Sequence, residues 1–232
     1  MRKCPIDVRA IMTDPVTGRK LYRFPDGRCA ITGTDVSHFV GKIDFGKVRD
    51  DGISFVMVRV GGRSLIDGRQ YEDELFRQNI EAAIDAGLAV GVYTCTFAVD
   101  IGEIEEDAVY ILSRIKDYAI TWPVVMDIEV PKEEHRNRDL DRAQRTEMAL
   151  RFCNMVENAG YRPMIYCNSI PGMQTLIEPE RLDHVEKWIA QYRHRPYYPY
   201  DFGIWQYSCE AHINGIDSMG DLDIAFKDYG AL

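Results

Sequence analysis

The sequence predicts an α/β protein whose parallel strands close into a barrel. Strand-like and helix-like runs alternate from residue 30 onward, a pattern that produces parallel strands joined by right-handed crossovers. Eight strand-like runs fit into about 200 residues, which suits a closed barrel better than an open doubly wound sheet. No Gly-x-Gly-x-x-Gly motif follows any of these runs, which argues against a dinucleotide site.

The first half of the barrel is predicted from apolar runs separated by helical patterns. Strands are expected over residues 30–36, 54–60, 88–97 and 124–129. Helices are expected over residues 45–51, 72–86 and 103–118. Gly52 and Gly87 follow the first two helical patterns, where glycine commonly ends a helix. Acidic residues occupy the first turn of the third, as the helix dipole favours.

The second half contains one long helical pattern and shorter strands. The helix is expected over residues 139–159, with Gly160 at its end. Strands are expected over 162–168, 186–192 and 203–207, and a turn through Gly220 leads to a last segment at Asp223. The loops between these later strands have weak helical pattern, so we expect few helices there.

The N-terminal residues differ from the rest of the chain. Turn signals at residues 14–18 and 24–27 enclose residues 20–24, which alternate like an exposed strand. We therefore expect residues 1–31 to form a short hairpin-like appendage without chemistry of its own, and residues 32–232 to form the barrel domain.

Composition limits the possible partners and compartments. The 232 residues carry a net charge of −9, which argues against a nucleic-acid or anionic-membrane partner. No apolar run reaches the roughly 18 residues of a membrane-spanning helix. The N-terminus lacks the apolar core of a secretory signal, so we expect synthesis in the cytoplasm or origin from a longer chain.

The six cysteines form no CxxC pair and are expected to be free thiols. Cys4 and Cys29 are the one pair to check for a disulfide.

Asp127 and Glu129 are the most informative residues of the chain. They end a short apolar run that begins at Val124 and is typical of a buried strand. Because side chains two apart on a strand point to the same side, both carboxylates face one space. Such a pair suits glycosidic bond cleavage, in which one group is a protonated acid and the other a nearby anion. The alternative is that the two acids begin a solvated loop.

Polar residues recur at the carboxyl ends of the other predicted strands, which converge on one face of a barrel. These residues are Asp35, Arg59, Tyr93, Tyr166, Asn168, Gln191, Tyr192, Gln206 and Tyr207. This convergence favours a site over a solvated loop.

Six motifs in order resemble glycoside hydrolase family 25, the Chalaropsis-type lysozymes. They extend from about residue 32 to residue 229 and exclude the first 30 residues. The matching segments are 33–37 with 43–45, 55–59, 76–79 with 86–93, 123–129, 188–192 with 205–208, and 220–223.

The resemblance implies a TIM-like barrel of the (β/α)5(β)3 type and a muramidase that hydrolyses the β-1,4 bond between N-acetylmuramic acid and N-acetylglucosamine. It implies Glu129 as general acid and Asp127 as stabilising carboxylate, with Asp35 and Asp223 completing an acidic cluster. The alternative roles are a cap for Asp35 and a turn residue for Asp223. Asp221 lies two residues from Asp223, so either could be the C-terminal acid of the site.

Expected substrate contacts combine stacking surfaces with polar groups, as sugars require. They are Tyr93, Tyr166, Asn168, Tyr192, Gln191, Trp205 and Arg59. For each aromatic residue, plain core packing is the alternative. Residues 94–97 read Thr-Cys-Thr-Phe where many relatives carry His-Phe after the tyrosine.

We expect the partner to be peptidoglycan glycan strands, cleaved by a monomer without cofactor or metal. The enzyme is expected to act at the bacterial wall, either outside the cell or after phage-type release from the cytoplasm. The main alternative is a non-catalytic wall-binding module on the same barrel. A metal-dependent deacetylase would need a histidine pair at ligand spacing, whereas His38, His135, His184, His194 and His212 are isolated in sequence.

Overall fold

The computed structural model describes residues 1–168 and 170–230, and a barrel of eight strands forms the centre of this part of the chain. The strands are β1 (Met12–Thr13), β2 (Lys20–Leu21), β3 (Ile31–Val36), β4 (Phe55–Arg63), β5 (Gln70–Glu72), β6 (Ala89–Cys95), β7 (Val124–Ile128), β8 (Pro163–Cys167), β9 (Glu186–Ala190), β10 (Ile204–Ala211) and β11 (Gly220–Ala225). The helices are α1 (Phe45–Asp50), α2 (Phe76–Asp85), α3 (Ile101–Ile115), α4 (Arg142–Asn158) and α5 (Ile170–Thr175).

The barrel strands follow the order β3-β4-β6-β7-β8-β9-β10-β11, and β11 returns to pair with β3. Pairs from β3 to β10 are parallel, and a helix follows each of the first five strands of this series. Strands β9, β10 and β11 have no helix between them. The predicted (β/α)5(β)3 class is therefore confirmed.

One strand departs from the parallel arrangement that the alternation predicted. Strand β11 is antiparallel to both β10 and β3. The connection from β10 to β11 covers only residues 212–219. A loop this short cannot return the chain to the starting end of the barrel, so the next strand must run in the opposite direction.

The helix expected over residues 72–86 begins later than predicted. Residues Gln70–Glu72 form β5, which pairs antiparallel with β4, and α2 starts at Phe76. Asp73 separates the two elements: its backbone N–H donates to the carbonyl of Val60, and its Oδ1 accepts from the backbone N–H of Leu75. These bonds hold residues 73–75 in a turn, which the apolar periodicity does not reveal.

The start of α4 also moves, from the predicted residue 139 to Arg142. Asp141 accepts a hydrogen bond from the backbone N–H of Gln144, and the Gln144 side chain accepts one from the backbone N–H of Asp141. This reciprocal capping box satisfies two donors that the first turn of a helix leaves unpaired. It therefore fixes the beginning of the helix.

The barrel interior is closed at the amino ends of its strands. Phe55 stacks on Trp122 with ring centroids 4.0 Å apart, and Trp122 packs edge-to-face on Tyr229. Gly33 leaves room for this stack, since a Cβ atom there would lie 2.2 Å from the Phe55 ring. With this end filled, a ligand must enter from the carboxyl ends.

The N-terminal segment packs against the outside of the barrel. Strands β1 and β2 pair as an antiparallel hairpin, and Ile11 is buried. Tyr22 meets Phe226 edge-to-face, with centroids 5.6 Å apart. The backbone N–H of Lys20 donates to the Tyr207 hydroxyl over 3.4 Å. The hairpin is thus attached along the β10–β11 side of the barrel, while the division of domains at residue 31 stays a prediction.

All six cysteines are free thiols, including Cys4 and Cys29. Within the described ranges, every helix is too short or too polar to cross a membrane.

Candidate active site

The carboxyl ends of the barrel strands surround a cleft of about 340 Å³. Its lining combines acids, one arginine and aromatic rings from almost every strand. The lining residues are Asp35, Ser37, Phe39, Val40, Arg59, Tyr93, Cys95, Asp127, Glu129, Tyr166, Trp188, Tyr192, Gln206, Met219 and Asp221. The convergence predicted from the strand ends therefore exists for most of those residues, whereas Asn168, Gln191 and Tyr207 lie outside the lining.

Two carboxylates with different surroundings meet in this cleft. Asp127, on β7, is 5% exposed, whereas Glu129 follows the strand and is partly exposed. Burial, and then the negative charge of Glu129, raise the pKa of Asp127 to about 7. Across residues 1–168 and 170–230, no group donates a hydrogen bond to the Glu129 side chain. Glu129 is thus available to a ligand, while Asp127 is held by the protein.

Cys95 holds one oxygen of Asp127. The two residues are register partners on the adjacent strands β6 and β7, and the Cys95 thiol lies 2.8 Å from Oδ2 of Asp127. This hydrogen bond and the charge of Arg59 act against burial and lower the pKa of Asp127. Sequence reasoning missed Cys95 as a site residue. The sequence signal that could have indicated Cys95 is the Thr-Cys-Thr-Phe of residues 94–97, which differs from the His-Phe of many relatives directly after Tyr93.

A second group of acids lies across the cleft. Asp35 is 7% exposed, and burial followed by the charge of Asp223 raises its pKa well above the ordinary range. Asp221 lines the cleft, and its pKa is raised to about 8 by burial and by the charge of Asp35. Like charges this close favour protonation of part of the group at neutral pH.

Asp223, the predicted C-terminal acid, lies below the cleft rather than in its lining. It is fully buried, and Trp188 Nε1 donates to its Oδ1 over 2.8 Å. Asp221 and Asp223 point to the same side of β11, but two residues place Asp223 about 6–7 Å deeper in the barrel. Asp221 is therefore the acid of this pair that a ligand can reach.

Gln206 connects the acids to the tyrosines. Its Oε1 accepts hydrogen bonds from the hydroxyls of Tyr166, at 2.9 Å, and Tyr192, at 3.0 Å. Its Nε2 donates to Oδ2 of Asp35 over 2.7 Å. Gln206 was visible in the sequence as a strand-end residue but was not predicted as a site residue. Its position indicates that it orients Tyr166, Tyr192 and Asp35.

Arg59 is held at the cleft edge by the buried Asp73 and the partly exposed His38. Its Nε donates to Oδ2 of Asp73 over 2.8 Å, and its Nη2 lies 2.7 Å from Nδ1 of His38. Asp73 also accepts from the backbone N–H of His38. The Arg59 guanidinium lies 4.9 Å from the Phe39 ring centroid. These contacts fix one positive charge beside Asp127, and neither His38 nor Asp73 was predicted.

The predicted aromatic contacts are partly placed in the cleft. Tyr93 and Trp188 meet edge-to-face, with centroids 6.0 Å apart, and both line the cleft. Tyr192 is 53% exposed at its rim, where a sugar face could stack on its ring.

Two residues expected to contact substrate are built into the barrel wall instead. Trp205 is fully buried, and its Nε1 donates to the carbonyl oxygen of Gln191 over 2.9 Å. The Gln191 side chain accepts from the backbone N–H of Tyr197. Neither residue lines the cleft. Strand alternation explains Trp205: Ile204 and Gln206 face the barrel interior, so Trp205 between them faces outward.

Asn168 contacts the segment that carries Glu129. Its Oδ1 accepts a hydrogen bond from the backbone N–H of Val130 over 3.1 Å, and the residue is exposed. Asn168 thus holds the backbone of the residue that follows Glu129.

No group of three or more His, Cys, Asp or Glu side chains in the described part of the chain is arranged to hold a metal ion. The histidines therefore give no support to the deacetylase alternative, which needs such a group.

Comparisons with known proteins agree with this architecture. Residues 34–216 match the family model described as glycosyl hydrolases family 25. The autolytic lysozyme of Clostridium acetobutylicum is 24% identical over 196 residues, which are 82% of this chain and 54% of that lysozyme. This chain thus spans about half the length of that curated relative.

Solved structures share the fold. The modular autolysin LytC of Streptococcus pneumoniae superposes with a TM-score of 0.74 at 24% identity, covering 94% of this chain and 52% of that one. It has also been solved with a synthetic peptidoglycan ligand. A lysozyme from Streptomyces coelicolor gives a TM-score of 0.72 at 21% identity, covering 87% of this chain and 94% of its own. The matched family spans most of the barrel and includes every cleft acid except Asp221, so this chain belongs to glycosyl hydrolase family 25, as its motifs predict.

Proposed function

We propose that this protein is a peptidoglycan hydrolase, a lysozyme that cleaves the β-1,4 bond between N-acetylmuramic acid and N-acetylglucosamine. The observation that carries the proposal is the Asp127/Glu129 pair at the cleft of a family 25 barrel. The lysozymes and the peptidoglycan-bound autolysin among its relatives support the substrate class. The site of action is then the bacterial cell wall.

Glu129 acts as the general acid in this proposal. It lies at the cleft surface, and its carboxyl group is free of hydrogen bonds from the described residues. It can therefore turn its proton toward the glycosidic oxygen of a bound glycan. Positioned proton transfer of this kind contributes roughly 100- to 10,000-fold to the rate.

Asp127 acts as the stabilising carboxylate. The bond that breaks leaves positive charge on the sugar ring, and a fixed anion beside the ring stabilises that charge. Cys95 and Arg59 favour the ionised form of Asp127 against the effect of burial. The Cys95 hydrogen bond also keeps the orientation of Asp127 when the cleft is empty, so little reorganisation is needed during the reaction.

The route to product is proposed to use the substrate's own 2-acetamido group as nucleophile. Glu129 would first protonate the leaving oxygen and then activate the water that opens the intermediate. Two displacements at one carbon retain its configuration. Nuclear magnetic resonance of the first product tests this step: retention is expected, and inversion would exclude it.

Arg59, Tyr93, Tyr166 and Tyr192 are proposed to bind the glycan. All four line the cleft, and Tyr166 and Tyr192 are oriented by Gln206. The cleft is complete within one chain, so we propose the monomer as the active unit.

The direct test is mass analysis of products from purified peptidoglycan after borohydride reduction. New reducing ends on N-acetylmuramic acid are expected. Reducing ends on N-acetylglucosamine would still support a peptidoglycan hydrolase but would overturn the muramidase assignment. Wall binding without any new reducing end would instead indicate a non-catalytic binding module.

A further inference from the structure

A second groove, of about 690 Å³, lies beside the candidate active site. One wall is the tip of the N-terminal hairpin, with Thr17, Gly18 and Lys20, and the other is the outer end of β10 with the segment around Arg193. The family match begins at residue 34, so the hairpin wall lies outside it. The groove is therefore a feature that the appendage adds to the barrel.

The groove adjoins the cleft at Tyr192. Tyr192 lines both spaces, and its hydroxyl is fixed on Gln206 in the cleft. Strand β10 has register irregularities between Gln206 and Ser208 and between Ser208 and Ala211. Such bulges bend a strand and redirect its side chains near active sites. Here they carry the end of β10 outward, where it forms the side of the groove.

In the described part of the chain, Lys20 and Arg193 face the groove without an acidic partner, and Glu210 is the one acid among its lining residues. Lys20 is only 8% exposed, yet among the described residues its ammonium group has a single hydrogen-bond partner, the Thr13 hydroxyl at 2.8 Å. Within residues 1–168 and 170–230, no carboxylate lies within ion-pair distance of Lys20 or Arg193. Arg195 lies near enough to Lys20 to repel it. A buried, unpaired ammonium with donors to spare is costly in isolation and suited to an anionic ligand.

In a protein with net charge −9, these cations mark a local anion-binding surface. The sugars of a peptidoglycan strand are largely uncharged, whereas its peptide stems carry free carboxylates. A stem leaves the glycan sideways from the muramic acid residue. Resting on the proposed function, we propose that this groove binds the carboxylate-bearing peptide stem of the glycan strand held in the cleft, with Lys20 and Arg193 as its anion contacts.

The test compares hydrolysis of two substrates by the full chain: glycan strands with intact stems, and the same strands stripped of stems by an amidase. The variants are Lys20→Met and Arg193→Gln, with the exposed, distant Lys116→Met as control. Because a lost charge-assisted hydrogen bond weakens binding about tenfold, KM for stem-bearing strands should rise about tenfold in either groove variant. KM of the groove variants for stripped strands should not change. KM of the Lys116→Met control should not change for either substrate.

Arg193 is exposed, so its variant keeps the test valid even if Lys20→Met were to unfold the hairpin. Equal losses on both substrates would show that the groove holds sugar and overturn the proposal. Unchanged KM on both would also overturn it. If polyglycerol phosphate inhibits hydrolysis by competition and a free stem peptide does not, the groove binds a phosphate polymer, and the stem proposal is overturned.

Direct binding separates this inference from the proposed function. Calorimetry with a synthetic stem peptide should show binding that Arg193→Gln weakens about tenfold. Peptide binding without glycan cleavage would contradict the proposed hydrolase activity and support stem binding by the groove. Cleavage at the same rate with and without stems, together with no peptide binding, would support the hydrolase and overturn the stem-binding groove.

Discussion

The thiol of Cys95 donates a hydrogen bond to Oδ2 of Asp127 over 2.8 Å, joining the strands β6 and β7 at the floor of the cleft. Asp127 is otherwise in surroundings that disfavour its charge, since it is buried and faces the negative charge of Glu129. The thiol opposes both effects. Cys95 thus helps to set the pH at which the Asp127 carboxylate is ionised.

Replacement of Cys95 by alanine should move the pH dependence of activity. With Glu129 as acid and Asp127 as anion, the acidic limb of kcat/KM reports ionisation of Asp127. Loss of the hydrogen bond removes stabilisation of the carboxylate and raises its pKa. We expect the limb to move upward by about 0.5 to 1 pH unit, since one such bond is worth about 1 kcal/mol. Peptidoglycan turnover from pH 4 to 9 measures it.

Cys95→Ser is the conservative counterpart, because its hydroxyl also donates and should restore the wild-type limb. Cys153→Ala removes a buried thiol from α4, outside the cleft, and controls for destabilisation. A Cys95→Ala profile that is lower at every pH, with the limb unmoved, would assign Cys95 to packing alone.

Asp127→Asn should flatten the dependence of stability on pH. The ordinary pKa of this carboxyl is 3.8, and in the folded protein it is raised to about 7. The folded state therefore binds the proton more tightly, and the free energy of unfolding falls as pH rises from about 4 to 7. The asparagine side chain does not ionise in this range. The decrease in the free energy of unfolding as pH rises should therefore be smaller by up to about 4 kcal/mol.

Urea unfolding at pH 4.5 and 7.5 measures this difference, with the exposed Asp117→Asn as control. Asp35 and Asp221 keep part of the dependence, since their pKa values are raised as well. An Asp127→Asn protein whose stability falls as steeply as that of wild type would contradict the raised pKa.

Asp73→Asn should destabilise the fold strongly. Asp73 is the acceptor for Arg59 and for two backbone N–H groups, and its side chain is fully buried. Loss of its charge leaves a buried guanidinium without an anion, which costs about 3–5 kcal/mol. Glu105→Gln, in the exposed pair with Arg151 at 2.7 Å, should cost less than about 1 kcal/mol. Equal losses in urea unfolding would show that the Asp73 cluster contributes little.

The sequence predicts the barrel well because its signals are local. Apolar runs, helix-ending glycines and the repeated alternation each follow from neighbouring residues. The Asp127/Glu129 pair is visible for the same reason, since strand alternation alone places both acids on one side. The direction of β11 was missed because the length of its connection, rather than any pattern in the strand, decides it.

Contacts between strands could not be predicted in this way. Cys95 meets Asp127 through the register of β6 against β7, and Gln206 on β10 meets Asp35 on β3 over the intervening strand β11. Neither contact produces a periodic pattern in the sequence. Depth is a second missing quantity: Asp221 and Asp223 share a side of β11, and only the closed barrel separates the accessible acid from the buried one.

The central claim is that Glu129 is the acid of a muramidase, and Glu129→Gln tests it most directly. The change keeps size and polarity, and Glu129 is partly exposed without a hydrogen bond from the described residues, so stability should be unchanged. The matched control is Glu134→Gln, an exposed acid of the same loop. Release of reducing N-acetylmuramic acid ends should fall roughly 100- to 10,000-fold in Glu129→Gln alone, with wall binding retained. A Glu129→Gln protein that releases these ends at the wild-type rate would contradict the account.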